Sequence, residues 1–159
     1  MVSFPYSEEL VKMAHEILMK AAEPYTDYQL KEIPRILNAK HRYFIANDLR
    51  DWEALRDVFT EEAPEGFRAF WTTGGGKKTI DEQLDSVRWS IGEQENIVPT
   101  HYGVNQIVYF IDDTHAQLLT RMHDHHVYMD NGELYAGWGL YVDCLLYTSP
   151  SPRDRSVSR

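Results

Sequence analysis

The chain has 159 residues, one cysteine and a formal net charge of −9. This length suits one compact domain, and 43% hydrophobic residues supply enough apolar surface to exclude a wholly disordered chain. The single cysteine excludes a disulfide framework and any multi-cysteine metal site. The acidic balance argues against nucleic acid as a partner, and no apolar run reaches the ~18 residues that span a membrane. We therefore expect a cytoplasmic protein.

The first part of the chain has helical periodicity. Apolar residues share one face of a predicted helix over residues 7–22, which Pro24 ends. A second predicted helix covers residues 30–46, with Pro34 in its first turn, where a missing N–H is harmless. The Asn47-Asp48 pair is expected to break this helix.

Capping signals define the middle of the chain. Asp51 is expected to cap a short third helix, and residues 67–73 form an aromatic, β-prone segment. The glycine run 74–76 lacks the spacing of a phosphate-binding loop, so it is interpreted as a turn. Thr79 and Glu82 form a capping box that opens a fourth helix.

Strand-like periodicity replaces helical periodicity in the last third of the chain. Strands are predicted over residues 101–111, 116–129 and 134–143, joined by turns at Asp112-Asp113 and Asn131-Gly132. Helices followed by an antiparallel meander predict an α+β fold with the helices packed on a curved sheet.

The predicted strand 116–129 is the most informative segment, because strand side chains alternate between two faces. Its even positions are more apolar up to Met122, so they should face the core, which places Asp124 inward with His126 beyond it. An inward carboxylate costs several kcal/mol unless it is paired, and a pocket meets that cost most easily. The alternative is that this end of the face turns to solvent.

The run His123-Asp124-His125-His126 also suggests a metal site, since imidazoles two apart on a strand can share an ion. A site needs three or four converging ligands, however, and the sequence fixes only two on either face. A solvated strand end is therefore favoured, with His123 and His125 exposed, and no metal is predicted.

Residues 144–159, CLLYTSPSPRDRSVSR, are rich in serine, proline and arginine and have no periodicity after Tyr147. One interpretation is a disordered C-terminal tail. The segment CLLYTSPSPRD also resembles, codon by codon, the translation of a transposase-type sequencing adapter. We therefore expect the natural sequence to stop near Asp143, which leaves a fragment whose last strand is missing.

Two segments resemble the SnoaL-like branch of the nuclear transport factor 2-like superfamily. KHRYFIANDLRDWEALRDVFTEEA, at 40–63, resembles its opening helices, and PTHYGVNQIVYFIDDTHAQLLTRMHDHH, at 99–126, resembles its central strands. The resemblance implies a cone-shaped α+β barrel with a deep pocket. The implied organisation is an N-terminal helical extension at 1–29, a SnoaL-like domain at 30–143 and a non-native tail at 144–159.

The resemblance also implies site residues. HYGVN resembles the strand that carries the catalytic histidine of the dehydrochlorinases, which implies His101 as a base, and ANDLRDW implies Asp48 as its orienting partner. The similar pattern of the bile-acid dehydratases implies Tyr43 as a polariser or acid and Asp124 as a second acid or base. Phe67 departs from the family pattern, because it stands where a family tyrosine would bring a hydroxyl.

A His–Asp pair suits the abstraction of a proton from carbon, because the carboxylate fixes the imidazole tautomer and stabilises the imidazolium. The expected activity is that of a cofactor-independent lyase or isomerase, dehydratase-like or ketosteroid-isomerase-like, acting on a small hydrophobic substrate. The expected substrate-binding residues are Trp52, Phe67, Trp71, Trp89, Asn105, Met122, His126 and Trp138. The alternative is a non-catalytic ligand-binding or dimerisation module of the same fold. A homo-oligomer, dimer or trimer, is expected for the full-length protein.

Overall fold

The computed structural model describes residues 6–21, 24–59, 69–71, 75–77, 79–93, 96–146 and 157–158. The helices are α1 (Glu8–Lys20), α2 (Asp27–Leu49), α3 (Trp52–Asp57) and α4 (Ile80–Val87), the last continued by a π-helical segment, Arg88–Gly92. The strands are β1 (Ala69–Trp71), β2 (Gly75–Lys77), β3 (Ile97–Phe110), β4 (His115–Tyr128), β5 (Leu134–Leu146) and β6 (Val157–Ser158). All pairs are antiparallel: β1 pairs with β2, and the main sheet has the order β3-β4-β5-β6. No described helix is both long and apolar enough to cross a membrane.

Helix α2 begins three residues earlier than its apolar periodicity predicts. Thr26 and Gln29 form a capping box, in which the Thr26 hydroxyl accepts from the Gln29 N–H at 3.3 Å and the Gln29 side chain accepts from the Thr26 N–H at 3.0 Å. Pro34 therefore lies well inside the helix rather than in its first turn, so that prediction is wrong. The polar capping box, not the apolar stripe, sets the start of the helix.

The end of α2 differs from the prediction in a way that matters for the site. Asn47 and Asp48 do not break the helix but lie in its last turn, and Arg50 ends it in the left-handed conformation with φ of 55°. The Arg50 guanidinium donates to the carbonyls of Ile91 at 3.2 Å and Ile97 at 2.6 Å. These bonds join the end of α2 to the start of β3 and so fix Asp48 beside that strand.

The other helical predictions are confirmed. Asp51 caps α3 by accepting from the Ala54 N–H at 2.9 Å, and Thr79 caps α4 through a capping box with Glu82. The predicted apolar face of α4 and its continuation is buried at every position: Ile80, Leu84, Val87 and Ile91. Of the predicted strand at 67–73, the structure describes residues 69–71, which pair with 75–77.

Helices cover both faces of the main sheet. We call the face under α2 the inner face, where Ile36 packs against a cluster formed by Val108, Phe110, Ala116, Leu118 and Leu145. Helix α1 packs on the opposite, outer face, where Ala14 and Ile17 contact Leu119. The predicted packing of helices on an antiparallel sheet is confirmed, and the position of α1 adds a second layer to it.

A bulge in β3 reverses which side chains face inward. The register with β4 shifts between Val104 and Ile107, and Asn105 within the bulge has a positive φ of 52°. The extra residue changes the alternation, so His101 before the bulge and Val108 after it both face the inner side. One strand thereby supplies both a core residue and a candidate catalytic residue to the same face.

The predicted orientation of β4 is confirmed. Leu118 and Thr120 have no exposed area, and the even face they share is the inner one. His123 and His125, expected to be exposed, are half-buried on the outer face. Their ring centroids lie 4.4 Å apart and His123 stacks on Trp138 at 5.1 Å, so the three rings shield one another.

Strand β5 continues past the predicted end of the natural sequence. Cys144 and Leu145 pair with the start of β4, and Leu145 is 2% exposed in the inner-face cluster. Strand β6 pairs with the end of β5. The adapter origin of residues 144–159 stays a prediction, because a strand register does not test where a sequence came from.

Gly103 is a point of close approach between α2 and the sheet. A Cβ at this position would collide with the Phe44 ring and lie 3.0 Å from Thr120 Cγ2. We therefore expect Gly103→Ala to lower the free energy of unfolding by about 1–3 kcal/mol, measured by urea denaturation. Val104→Ala, at a 46% exposed outer-face position, is the matched control and should change it by less than about 0.5 kcal/mol. A Gly103→Ala protein as stable as wild type would contradict this packing.

Candidate active site

The structure brings His101 and Asp48 together at the inner face. The Asp48 carboxylate accepts two hydrogen bonds from the same residue, one from His101 Nδ1 at 2.6 Å and one from its backbone N–H at 3.1 Å. The side chains are 9% and 18% exposed, so this pair is largely removed from water. The predicted proximity of the two residues is confirmed.

The geometry selects one tautomer of His101. A carboxylate only accepts hydrogen bonds, so Nδ1 must carry the proton that Asp48 accepts. In the neutral ring, Nε2 is then left with a free lone pair. The second hydrogen bond, to the His101 backbone, fixes the carboxylate relative to β3 and prevents the pair from rotating as a unit.

Phe44 forms one wall of the dyad. Its ring lies nearly parallel to the His101 imidazole, with the ring centroids 6.2 Å apart and an angle of 10° between the ring planes. Phe44 can reach this position because Gly103, two residues along β3, has no side chain to occupy it. The aromatic wall lowers the local dielectric constant, which strengthens the charge-assisted bond between Asp48 and His101.

Asp124 and His126 complete a cluster around His101. Asp124 lies opposite His101 in the β3–β4 register, and the His126 ring meets the His101 ring edge-on at 5.5 Å. One ligand-type atom of each of the three residues lies within 4.8 Å of the others. Asp124 Oδ1 and His126 Nε2 are buried and have no hydrogen-bond partner among the described residues. The cluster therefore holds buried polar atoms that make no hydrogen bond to the described residues.

Glycines on β5 make room for these side chains. Gly137 lies opposite Asp124, and a Cβ there would collide with the carboxylate. Gly139 lies opposite Met122, whose terminal methyl is 3.2 Å from the position a Cβ would take. The missing side chains allow Asp124 and Met122 to lie flat over the inner face.

Burial lowers the pKa of His126, and the nearby Asp124 carboxylate acts in the opposite direction. An unfolded histidine titrates near 6.5, so between that value and the lower folded-state pKa the unfolded chain binds more protons. The contribution of His126 to the free energy of unfolding should therefore fall as the pH drops below 6.5. Urea unfolding in chelator-treated buffer measures this across the pH range. As the pH falls, the free energy of unfolding should decrease less steeply for His126→Gln than for wild type. Identical pH profiles would contradict it.

A second buried polar cluster lies deeper along the inner face. The Lys40 side chain is 4% exposed, and its amino group pairs with the Asp143 carboxylate at 3.0 Å. Three aromatic rings surround the amino group, those of Tyr141 at 3.6 Å, Tyr43 at 4.7 Å and Phe44 at 5.1 Å. Burial lowers the pKa of Lys40, while the Asp143 charge opposes that change.

Tyr43 belongs to this second cluster. Its ring packs edge-on against Tyr141 and Phe44, at 6.3 and 5.7 Å. Burial raises the pKa of Tyr43 to about 12 and raises the pKa of Tyr141 well above its usual 10. Both hydroxyls therefore keep their protons at neutral pH and can donate but not act as bases. Phe44 contacts both His101 and Tyr43 and so joins the two clusters.

Comparison with known proteins agrees with this architecture. The family model of the SnoaL-like domain matches residues 29–150, which is most of the chain. The chain belongs to the SnoaL-like family. No curated protein matches its sequence. The predicted family is thus confirmed by a match that covers nearly all of α2 and the whole of β3, β4 and β5.

Solved structures share the SnoaL-like fold at low sequence identity. A candidate scytalone dehydratase from Novosphingobium aromaticivorans has a TM-score of 0.67 at 19% identity, over 85% of this chain and 87% of that one. A hexachlorocyclohexane dehydrochlorinase from Novosphingobium barchaimii has a TM-score of 0.63 at 14% identity, over 83% and 88%. ActVI-ORFA from Streptomyces coelicolor has a TM-score of 0.60 at 15% identity, over 80% and 91%. These likenesses confirm the predicted α+β cone fold.

The predicted pocket residues of this SnoaL-like chain take different positions. Met122 and His126 lie on the inner face, in line with Asp124. Trp52, the first residue of α3, packs against the core, and a Cβ on Gly92 would come within 2.6 Å of its ring.

Three other predicted pocket residues are at the surface. Trp89 and Trp138 are each 67% exposed, and Asn105 is exposed in the β3 bulge. Trp138 faces outward because the glycines on either side of it take the inward positions of β5. The structure thus does not place these three beside the dyad. Phe67 and the Trp71 side chain lie outside the described residues.

Several inner-face residues were missed by sequence reasoning. Tyr135, at the edge of the sheet, has its ring 5.7 Å from that of His126, and Tyr141 and Asp143 follow it on the same face. The Asn131-Gly132 turn could have identified them, because it sets the β5 register and hence the inward position of its odd residues. Lys40 was also missed, although it lies on the same helical face as the buried residues Ile36 and Tyr43.

Proposed function

We propose that this protein is a cofactor-independent lyase or isomerase that removes a carbon-bound proton from a small hydrophobic substrate. The observation that carries the proposal is the double hydrogen bond from His101 to the Asp48 carboxylate. It supports an orientation in which Nδ1 faces Asp48 and, in the neutral ring, Nε2 is left to accept a proton, in a site with little solvent access. The family match supports the fold in which this chemistry would take place.

In the proposed reaction, His101 Nε2 takes the proton from carbon as its C–H bond breaks. The electron pair forms a carbon–carbon double bond and expels a hydroxide or halide from the neighbouring carbon, or moves into an adjacent carbonyl. Asp48 stabilises the imidazolium, because its negative charge lies 2.6 Å from the ring nitrogen. The proton then returns to the leaving group or to a different carbon, which restores the neutral base.

Asp124 is proposed as the second acid or base, since its carboxylate lies opposite His101 and beside His126. Its Oδ1 is buried without a hydrogen bond to the described residues, so a substrate hydroxyl or leaving group would supply the missing partner. Tyr43 is proposed as a donor that polarises a carbonyl oxygen, because its raised pKa keeps the hydroxyl protonated. The aromatic rings along the inner face favour a hydrophobic substrate, cyclic compounds included.

The test is a screen of β-hydroxy carbonyl, β-halogenated and β,γ-unsaturated cyclic compounds in deuterated water, followed by proton NMR. Enzymatic turnover or exchange of a carbon-bound proton should appear with wild type and fall strongly with Asp48→Asn. His125→Gln, on the outer face of β4, is the matched control and should keep the activity. Binding of these compounds with neither turnover nor exchange would favour the non-catalytic ligand-binding alternative.

A further inference from the structure

The dyad histidine and two residues beside it have the composition of a transition-metal site. His101, Asp124 and His126 offer two imidazole nitrogens and one carboxylate oxygen, one atom of each lying within 4.8 Å of the others. From sequence alone, only two ligands could be assigned to either face of β4. The third comes from the neighbouring strand, because the β3–β4 register puts His101 directly opposite Asp124.

From this geometry we propose that His101, Asp124 and His126 bind one Zn²⁺ ion. Two imidazoles and a carboxylate are a ligand set that Zn²⁺ prefers, with a fourth position left for water. Tetrahedral coordination puts ligand atoms about 3.3 Å apart. His126 Nε2 and Asp124 Oδ2 are already 3.6 Å apart. The other distances between ligand atoms, which are at most 4.8 Å, would shorten by rotation about the terminal side-chain bonds.

The surroundings of the three residues support a cation. Asp124 Oδ1 and His126 Nε2 are buried and make no hydrogen bond to the described residues, so a bound ion would satisfy groups that are otherwise costly to bury. The Asp48 bond to Nδ1 leaves Nε2 of His101 as the ligand nitrogen and orients the ring. A carboxylate behind a ligating histidine is the usual outer partner of a zinc site.

Zn²⁺ and a substrate proton would use the same lone pair of His101 Nε2. The zinc-bound protein should therefore be unable to remove a proton from carbon, and zinc should inhibit the activity. This inhibition rests on the proposed function, whereas the binding itself does not. The experiment therefore measures binding directly.

The test is titration calorimetry of the chelator-treated protein with Zn²⁺, repeated with Co²⁺ to record the visible absorption of a tetrahedral site. We expect one ion per chain. His126→Ala and Asp124→Asn should each weaken Zn²⁺ binding by at least about tenfold, and Asp48→Asn should weaken it by about 10–100-fold. Thermal unfolding without metal checks that each variant is folded.

The matched control replaces the two histidines on the other face of the same strand, as His123→Ala with His125→Ala. This variant should bind Zn²⁺ as wild type does, because these rings point to the outer face. Absence of Zn²⁺ binding by wild type would overturn the proposal. So would binding that survives both inner-face variants, or that depends on His123 and His125. A variant that loses activity but binds Zn²⁺ as wild type does would bear on the proposed function and not on the zinc site.

Discussion

The variant His101→Gln should lower kcat by about 10²–10⁴-fold on any substrate that wild type turns over, because the amide cannot act as a general base. Glutamine can still donate to Asp48 and fills a similar volume, so the variant should fold. The loss should appear in kcat rather than KM, since proton transfer stabilises the transition state and not the bound substrate. The measurement is steady-state kinetics on the first substrate found by the deuterium screen.

The control for this prediction is His125→Gln, which changes the same residue type on the outer face of β4. It should leave kcat within about twofold of wild type, because surface substitutions away from the site have small effects. Thermal unfolding of both variants checks that the fold is intact. Full turnover by His101→Gln would refute the role of His101 as the base.

Lys40→Met should lower the free energy of unfolding by about 3–5 kcal/mol, because it leaves the Asp143 carboxylate in an apolar site without its cation. The Lys40 and Asp143 side chains are only 4% and 13% exposed, so water cannot replace the lost partner. Asp143→Leu should cost a similar amount, since it leaves the buried ammonium surrounded only by aromatic rings. Urea denaturation at neutral pH measures both.

The double variant, Lys40→Met with Asp143→Leu, separates loss of the ion pair from loss of packing. It removes both charges and replaces them with apolar side chains of similar shape, so it should be at least as stable as either single variant. Additive destabilisation by the two single changes would contradict a coupled buried pair. Arg42, whose ion pair with Asp57 is partly exposed, provides the surface comparison: Arg42→Met should cost less than about 1 kcal/mol.

Much of the fold follows from local patterns in the sequence. The alternation of apolar residues in β4 correctly predicted its inner face, and the capping signals at Asp51 and Thr79 correctly predicted the starts of two helices. The end of α2 was placed too early, because Asn47 and Asp48 have low helix propensity. Tertiary bonds from Arg50 to the neighbouring backbone instead stabilise the last turn.

The site was predictable only in part. The family resemblance implied His101 and Asp48, and the structure brings them to hydrogen-bond distance. The pairing of Lys40 with Asp143 could not be predicted, since the two are far apart in sequence and meet only through the packing of α2 on β5. Composition also favoured Trp138 as a pocket wall, but its strand position directs it outward.

The tautomer of His101 in solution tests its role as the base most directly. A long-range proton–nitrogen NMR spectrum of the ¹⁵N-labelled, metal-free protein, assigned with His101→Gln, reports which ring nitrogen carries the proton. In the neutral ring we predict that Nδ1 carries the proton and Nε2 carries none. The resonance of the Nδ1 proton should be shifted downfield, because this proton is hydrogen-bonded to the Asp48 carboxylate. In Asp48→Asn that downfield signal should be lost. A neutral His101 protonated on Nε2 instead, or a spectrum unchanged by Asp48→Asn, would contradict the proposed base and its orienting carboxylate.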